Sequence, residues 1–146
     1  MPNQYSGHRV VITGLGAVTP LGHEIDTFWK NILEGQCGID RITLFDVSAY
    51  DCQIAGEVKD FDPVPSFPSP KEVRRTDRFA QFGVAAGHRA LLDSGLDLSR
   101  ENCDEIGVFI GSGIGGLYTV EEQHKVLLAK GPGRVSPFMI PMLILN

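Results

Sequence analysis

Two short runs of β-branched and apolar residues, Arg9-Val-Val-Ile-Thr13 and Ile106-Gly-Val-Phe-Ile110, each end in a glycine turn, Gly14-Leu-Gly16 and Gly111-Ser-Gly-Ile-Gly-Gly116. Runs of this kind read as buried strands, and the glycines that stop them let the chain reverse or approach a neighbour closely. Helical periodicity follows both. Ile25, Phe28, Trp29, Ile32 and Leu33 mark an amphipathic helix over 24–34, stopped by Gly35 and expected to pack on a sheet. Leu117, Val120, Leu127 and Leu128 mark another, stopped by Gly131. Between them Ser69-Pro70-Lys71-Glu72 has the form of a capping box with proline at the first helical position. It opens a helix that runs through Phe79, Phe82, Ala86 and Ala90 to Gly95. A short strand is expected over 54–58, and Pro63, Pro65 and Pro68 make the next stretch a loop. The order strand, helix, helix, strand, helix indicates an α/β layer.

A length of 146 residues, 42% of them hydrophobic, allows one globular domain with a real core. The formal charge of -5 argues against a general affinity for nucleic acid or anionic membrane. Cys37, Cys52 and Cys103 are odd in number and lack Cys-x-x-Cys spacing, so neither a disulfide framework nor a zinc site is suggested. With no signal-peptide pattern in the first residues and no apolar run of transmembrane length, a cytoplasmic protein is expected. The run from Phe138 to Leu145, closed only by Asn146, is expected to need packing partners.

Gly111, Gly113 and Gly116 satisfy G-x-G-x-x-G between a strand and a helix, the setting in which the pattern can hold a dinucleotide pyrophosphate. The acidic residue wanted about 20 positions further on is missing. Close approach of a neighbouring element is the preferred reading, with a dinucleotide-binding oxidoreductase as the alternative. Ile114, flanked by glycines, is a candidate for an apolar cavity or for ordinary core. Lys71, Arg74, Arg75 and Arg78 fall at i, i+3, i+4 and i+7 of the helix begun at Ser69 and form one stripe. Cations there oppose the helix dipole, and the stripe suits either an anionic partner or a solvated face. His8, His23, His88 and His124 show no metal-ligand spacing, and none of the cysteines is placed as a nucleophile.

Taken together, these motifs resemble the type II β-ketoacyl-acyl-carrier-protein synthases. The carrying residues are the run from Arg9 to Gly22, Phe28-Trp-Lys30, Gly35-Gln-Cys-Gly-Ile39, Phe45-Asp46, Ala55-Gly56, Asp93-Ser-Gly95, the stretch 106–116, Ser136-Pro-Phe138 and Pro141. The resemblance implies a thiolase-like α/β fold, of which residues 1–146 form a partial N-terminal half of a five-layer α/β/α/β/α sandwich, in a protein that works as a homodimer. It implies a decarboxylative condensation of an acyl thioester with malonyl-carrier protein, without a cofactor or metal. The family's nucleophilic cysteine and two histidines are expected beyond the last residue here, so the chain by itself is expected to be inactive. The resemblance makes Ile114 the gate of the acyl pocket and Phe138 a neighbour in it. Met139 stands where the family usually has a phenylalanine contributed by the other subunit, a softer side chain. Lys71, Arg74, Arg75 and Arg134 become the surface that receives the acidic acyl carrier protein. A non-catalytic module binding a partner through the basic stripe is the remaining alternative.

Overall fold

A computed structural model describes residues 9–144. The elements are α1 (Ile25–Leu33), the strands β1 (Asp40–Arg41) and β2 (Ile54–Ala55), then α2 (Pro70–Val73), α3 (Arg78–Ser94), α4 (Leu117–Lys130) and α5 (Met139–Leu143). Gly35 and Gly131, at φ 69° and 79°, follow α1 and α4 as expected, because a positive φ is nearly free of strain only for glycine. The strand expected over 54–58 shortens to β2, which pairs antiparallel with β1 in the register Asp40 to Ala55 and Arg41 to Ile54.

The long helix expected from Ser69 to Gly95 is two helices. Ser69 does cap the first, its Oγ accepting from the Glu72 N–H at 3.4 Å, with Pro70 in the first turn. The helix ends at Val73, and Asp77, in an extended conformation, restarts the chain as the N-cap of α3. An aspartate offered as a cap competes with continued helix, which is why the pattern breaks here. The intervening turn is held by Gln81, whose amide donates to the carbonyls of Val73 and Thr76 at 3.1 Å each.

The two runs expected as strands, 9–13 and 106–110, belong to no ladder among the described residues. A strand requires a neighbour to accept its N–H and C=O groups, and none lies beside either run. Val10 is 89% exposed and Phe109 fully so. The glycines that follow the first run nevertheless do what close packing requires. A side-chain carbon added at Gly16 would lie 2.0 Å from the Ala86 carbonyl oxygen, and one at Gly14 2.3 Å from that of Ala90. The backbone of 14–16 therefore lies directly on α3.

α3 is the organising element. Ala85 is fully buried on it, Arg89 pairs with Glu24 at 2.7 Å, and the Leu15 N–H donates to Asp93 Oδ2 at 2.8 Å. Phe82 meets Phe61 edge-on at 5.0 Å, and Phe61 meets His23 at 5.5 Å. Beyond these contacts little is covered. The chain exposes 11605 Å², against about 7,400 Å² for a compact monomer of its mass. α1 has Ile25 and Phe28 half-buried but Trp29, Ile32 and Leu33 open, so the face expected to lie on a sheet is only partly used.

The β1–β2 hairpin is tied by an acid. Glu57 accepts from the Thr43 hydroxyl at 2.7 Å, the Thr43 N–H at 2.9 Å and the Leu44 N–H at 3.2 Å. The Thr43 side chain, then its N–H, hold the Glu57 carboxyl below its ordinary value. A pKa lower in the folded than in the unfolded chain gives a contribution present above the unfolded value and lost as pH falls through the folded one. Thr43 and Leu44 should therefore come loose only at a pH below the one at which an unstructured glutamate takes up its proton. The check is the Thr43 amide signal followed by NMR against pH. A midpoint at or above that of an unstructured glutamate would refute the assignment.

Candidate functional site

The basic residues come first because the break in the helix rearranges them. Lys71 is the second residue of the one-turn helix α2 and Arg74 is its C-cap, so Arg74 complements the negative end of a short helix and neither cation lies on a long one. The four-residue stripe is not a single helical face. Lys71, Arg74 and Arg75 are exposed. Arg78 leaves the group: its Nη2 donates to the Val58 carbonyl at 2.7 Å and its guanidinium lies 4.9 Å from the Phe82 ring centroid. Arg134 is exposed at the end of the 3-10 turn Pro132–Arg134 that follows α4.

The apolar candidates sit on two segments that touch. Met139 opens α5, with Phe138 as its N-cap residue, and the far end of α5 receives the Gly116 N–H at the Leu143 carbonyl, 3.0 Å away. A side-chain carbon at Gly115 would meet that same oxygen at 2.3 Å, and one at Gly116 would meet the Met142 oxygen at 2.7 Å. The loop bearing Ile114 is thus seated on α5, while Ile114 itself is 73% exposed. Met139 is half-buried. One contact joins the two groups: the Arg75 guanidinium stands 5.2 Å from the centroid of the Phe138 ring. Ile114, Phe138 and Met139 line neither of two cavities in the fold. One, of about 360 Å³, lies between Leu15, α1 and Arg89. The other, of about 320 Å³, lies between Phe79, Phe82 and Ala86 of α3 and Ile110.

Asp77 has a role that the charge pattern does not announce. It is buried, and its two oxygens serve two helices. Oδ1 accepts from the Arg78 N–H at 2.5 Å, capping α3, and Oδ2 accepts from the Thr119 N–H at 2.9 Å and the Thr119 hydroxyl at 2.5 Å. Thr119 lies in the first turn of α4, whose N-cap, Gly116, has no side chain to offer. The only visible signal was an aspartate before a helical run, which announces a cap for α3 and says nothing of α4.

This placement decides what the glycine pattern does. In a dinucleotide site the helix N-terminus after G-x-G-x-x-G faces a pyrophosphate. Here a carboxylate of the chain itself occupies that end of α4 and would repel one. Gly115 and Gly116 serve close packing, as preferred above, whereas Gly111 and Gly113 have nothing near the position of a side chain. Among the described residues no group of three or more His, Cys, Asp and Glu side chains converges, and no helix is long and apolar enough to cross a membrane. All three cysteines are free and exposed.

Two solved structures share this fold: the ishigamide ketosynthase/chain length factor (TM-score 0.74, 26% identity) and a type II PKS acyl-carrier protein in complex with its ketosynthase bound to the hexaketide (TM-score 0.73, 22% identity). Each is matched over 92% of this chain, and over 33% and 34% of its own. Residues 7–145 match the family described as Beta-ketoacyl synthase, N-terminal domain, and the chain belongs to that family. It is 52% identical over 138 residues to 3-oxoacyl-[acyl-carrier-protein] synthase 2 of Synechocystis sp., and 50% identical over 136 residues to the protein of the same description in Staphylococcus aureus. Those alignments take in 94% and 93% of this chain and 33% of each relative, so the chain spans about a third of their length.

Proposed function

We propose that this chain is the N-terminal portion of a β-ketoacyl-acyl-carrier-protein synthase of fatty acid biosynthesis, contributing the carrier-docking surface and part of the acyl pocket. The observation that carries the reading is 52% identity across nearly the whole chain to a 3-oxoacyl-[acyl-carrier-protein] synthase 2. The surface fits the same role. The exposed apolar runs at 9–13 and 106–110 suit strands of a sheet completed by residues outside this chain and by a second subunit. In that setting Ile114, Phe138 and Met139 line the acyl chain's path, and the condensation is carried out by residues outside 9–144. Residues 1–146 then act as part of one synthase domain in a soluble, cytoplasmic homodimer and condense nothing alone.

Lys71, Arg74 and Arg75, exposed within five residues of one another, and the exposed Arg134 meet the carrier protein, as exposed cations on a chain of net charge -5 suit an acidic partner. Carrier protein is also the partner in one of the matched ketosynthase structures. The test is a titration of acyl carrier protein against the chain and its Arg74→Glu, Arg75→Glu double variant. Removing two favourable charges and adding two repulsive ones should weaken binding at least about tenfold at low salt, with the difference shrinking as salt rises. Unchanged affinity would sink the docking assignment.

A further inference from the structure

The basic cluster and the apolar segment are joined at one point, and that point is a shared cation. Arg75 is exposed and available to a partner, yet its guanidinium lies over the ring of Phe138 at 5.2 Å. Phe138 is not a loosely held ring. Its N–H donates to Ser136 Oγ at 3.2 Å, its carbonyl receives the Met142 N–H at 3.0 Å, and the Ser136 N–H is held by Gln123 of α4 at 2.7 Å. The ring therefore reports on the start of α5, and the end of α5 carries the loop of Ile114 through the Gly116 to Leu143 bond. A guanidinium over an aromatic face gains about 0.5–1 kcal/mol at an exposed site, most of which is lost when a carboxylate draws it away.

We propose that Arg75 is a positioning residue that couples docking to the acyl-pocket segment. The acidic carrier and the Phe138 ring compete for one guanidinium, so that docking releases the first turn of α5 and with it Met139. The proposal rests on the docking role given above for the basic cluster. Coupling of this kind is reciprocal: whatever loosens Phe138 from Arg75 must tighten carrier binding by the same factor.

The experiment uses the full chain and ¹⁵N-labelled holo acyl carrier protein, titrated by NMR in a double-variant cycle. Phe138→Leu, which keeps an apolar side chain but has no ring, should tighten carrier binding about two- to five-fold. In an Arg75→Met background the same change should have no effect. A second readout is the Met139 methyl signal, which should shift on carrier addition in the parent chain and stay still in Arg75→Met. Circular dichroism confirms that each variant keeps its helices. Equal affinity for the parent and Phe138→Leu, or the same change in both backgrounds, would overturn the coupling while leaving docking in place. If Arg74→Met and Arg75→Met both bind carrier as the parent does, the docking role itself falls, and the coupling with it.

Discussion

Replacing Asp77 with alanine should lower the unfolding free energy by about 2–4 kcal/mol, measured by urea denaturation and followed by helical circular dichroism. Two helix ends lose their acceptor at once. α3 loses its N-cap, typically a loss of about 1 kcal/mol, and the Thr119 N–H and hydroxyl are left buried without a partner, which adds roughly 1–3 kcal/mol. Asp77→Asn separates the contributions. An amide has one oxygen and one donor group, so it can serve Arg78 or Thr119 but not both, and it removes the charge that both helix N-termini favour. About half the loss should remain. An alanine variant within 0.5 kcal/mol of the parent would mean that the carboxylate bridge contributes nothing to holding α3 and α4 together.

Gly16→Ala should be as damaging for a different reason. The added carbon would stand 2.0 Å from the Ala86 carbonyl oxygen, which is backbone and cannot rotate aside, so α3 must move off the 14–16 segment. Overpacking of this kind lies at or above the upper end of about 1–3 kcal/mol. The matched control is Gly87→Ala on α3, where an added carbon has no neighbour within 4 Å. There the alanine removes unfolded-state freedom from a helix interior and should stabilise by about 0.5–1 kcal/mol. The pair predicts opposite signs for the same chemical change, and thermal unfolding of the two variants suffices to test it. Equal shifts would refute the close seat of the 14–16 segment on the helix.

The helices α1 and α4 were legible because each carries its own evidence: apolar periodicity along its length and a glycine at its end. The close approach at Gly14 and Gly16 was legible in kind, since glycines between a strand-like run and a helix have few other uses. What failed depends on residues far apart in the chain. A ladder cannot be read from one strand, so 9–13 and 106–110 were expected as strands from composition that their surroundings here do not complete. β1, at two residues, is too short to leave a pattern, and β2 was legible only as a longer strand over 54–58. The break at Thr76-Asp77 falls between the capping box at Ser69 and the apolar periodicity that begins at Phe79, where the capping aspartate starts a new helix. Asp77 was missed as a bridge because Thr119 is 42 positions away. The basic cluster was recognised by charge, but its geometry followed from a helix that is not there, and Arg78 turned out to be engaged elsewhere.

The glycine turn at 111–116 ends in a firm seat and begins in open space. Gly115 and Gly116 touch Met142, Leu143 and Asp77, whereas Gly111 and Gly113 have nothing within 4 Å of where a side chain would stand. Ile114 is therefore carried like a flag on a pole planted at one end. The two upstream glycines leave open space before it, and the downstream pair fixes where it stands. Side chains grafted at 111 or 113 would meet nothing and leave the pole in place, whereas grafts at 115 or 116 would uproot it. A single short loop thus divides, between one residue and the next, into positions where variation retunes and positions where it destroys.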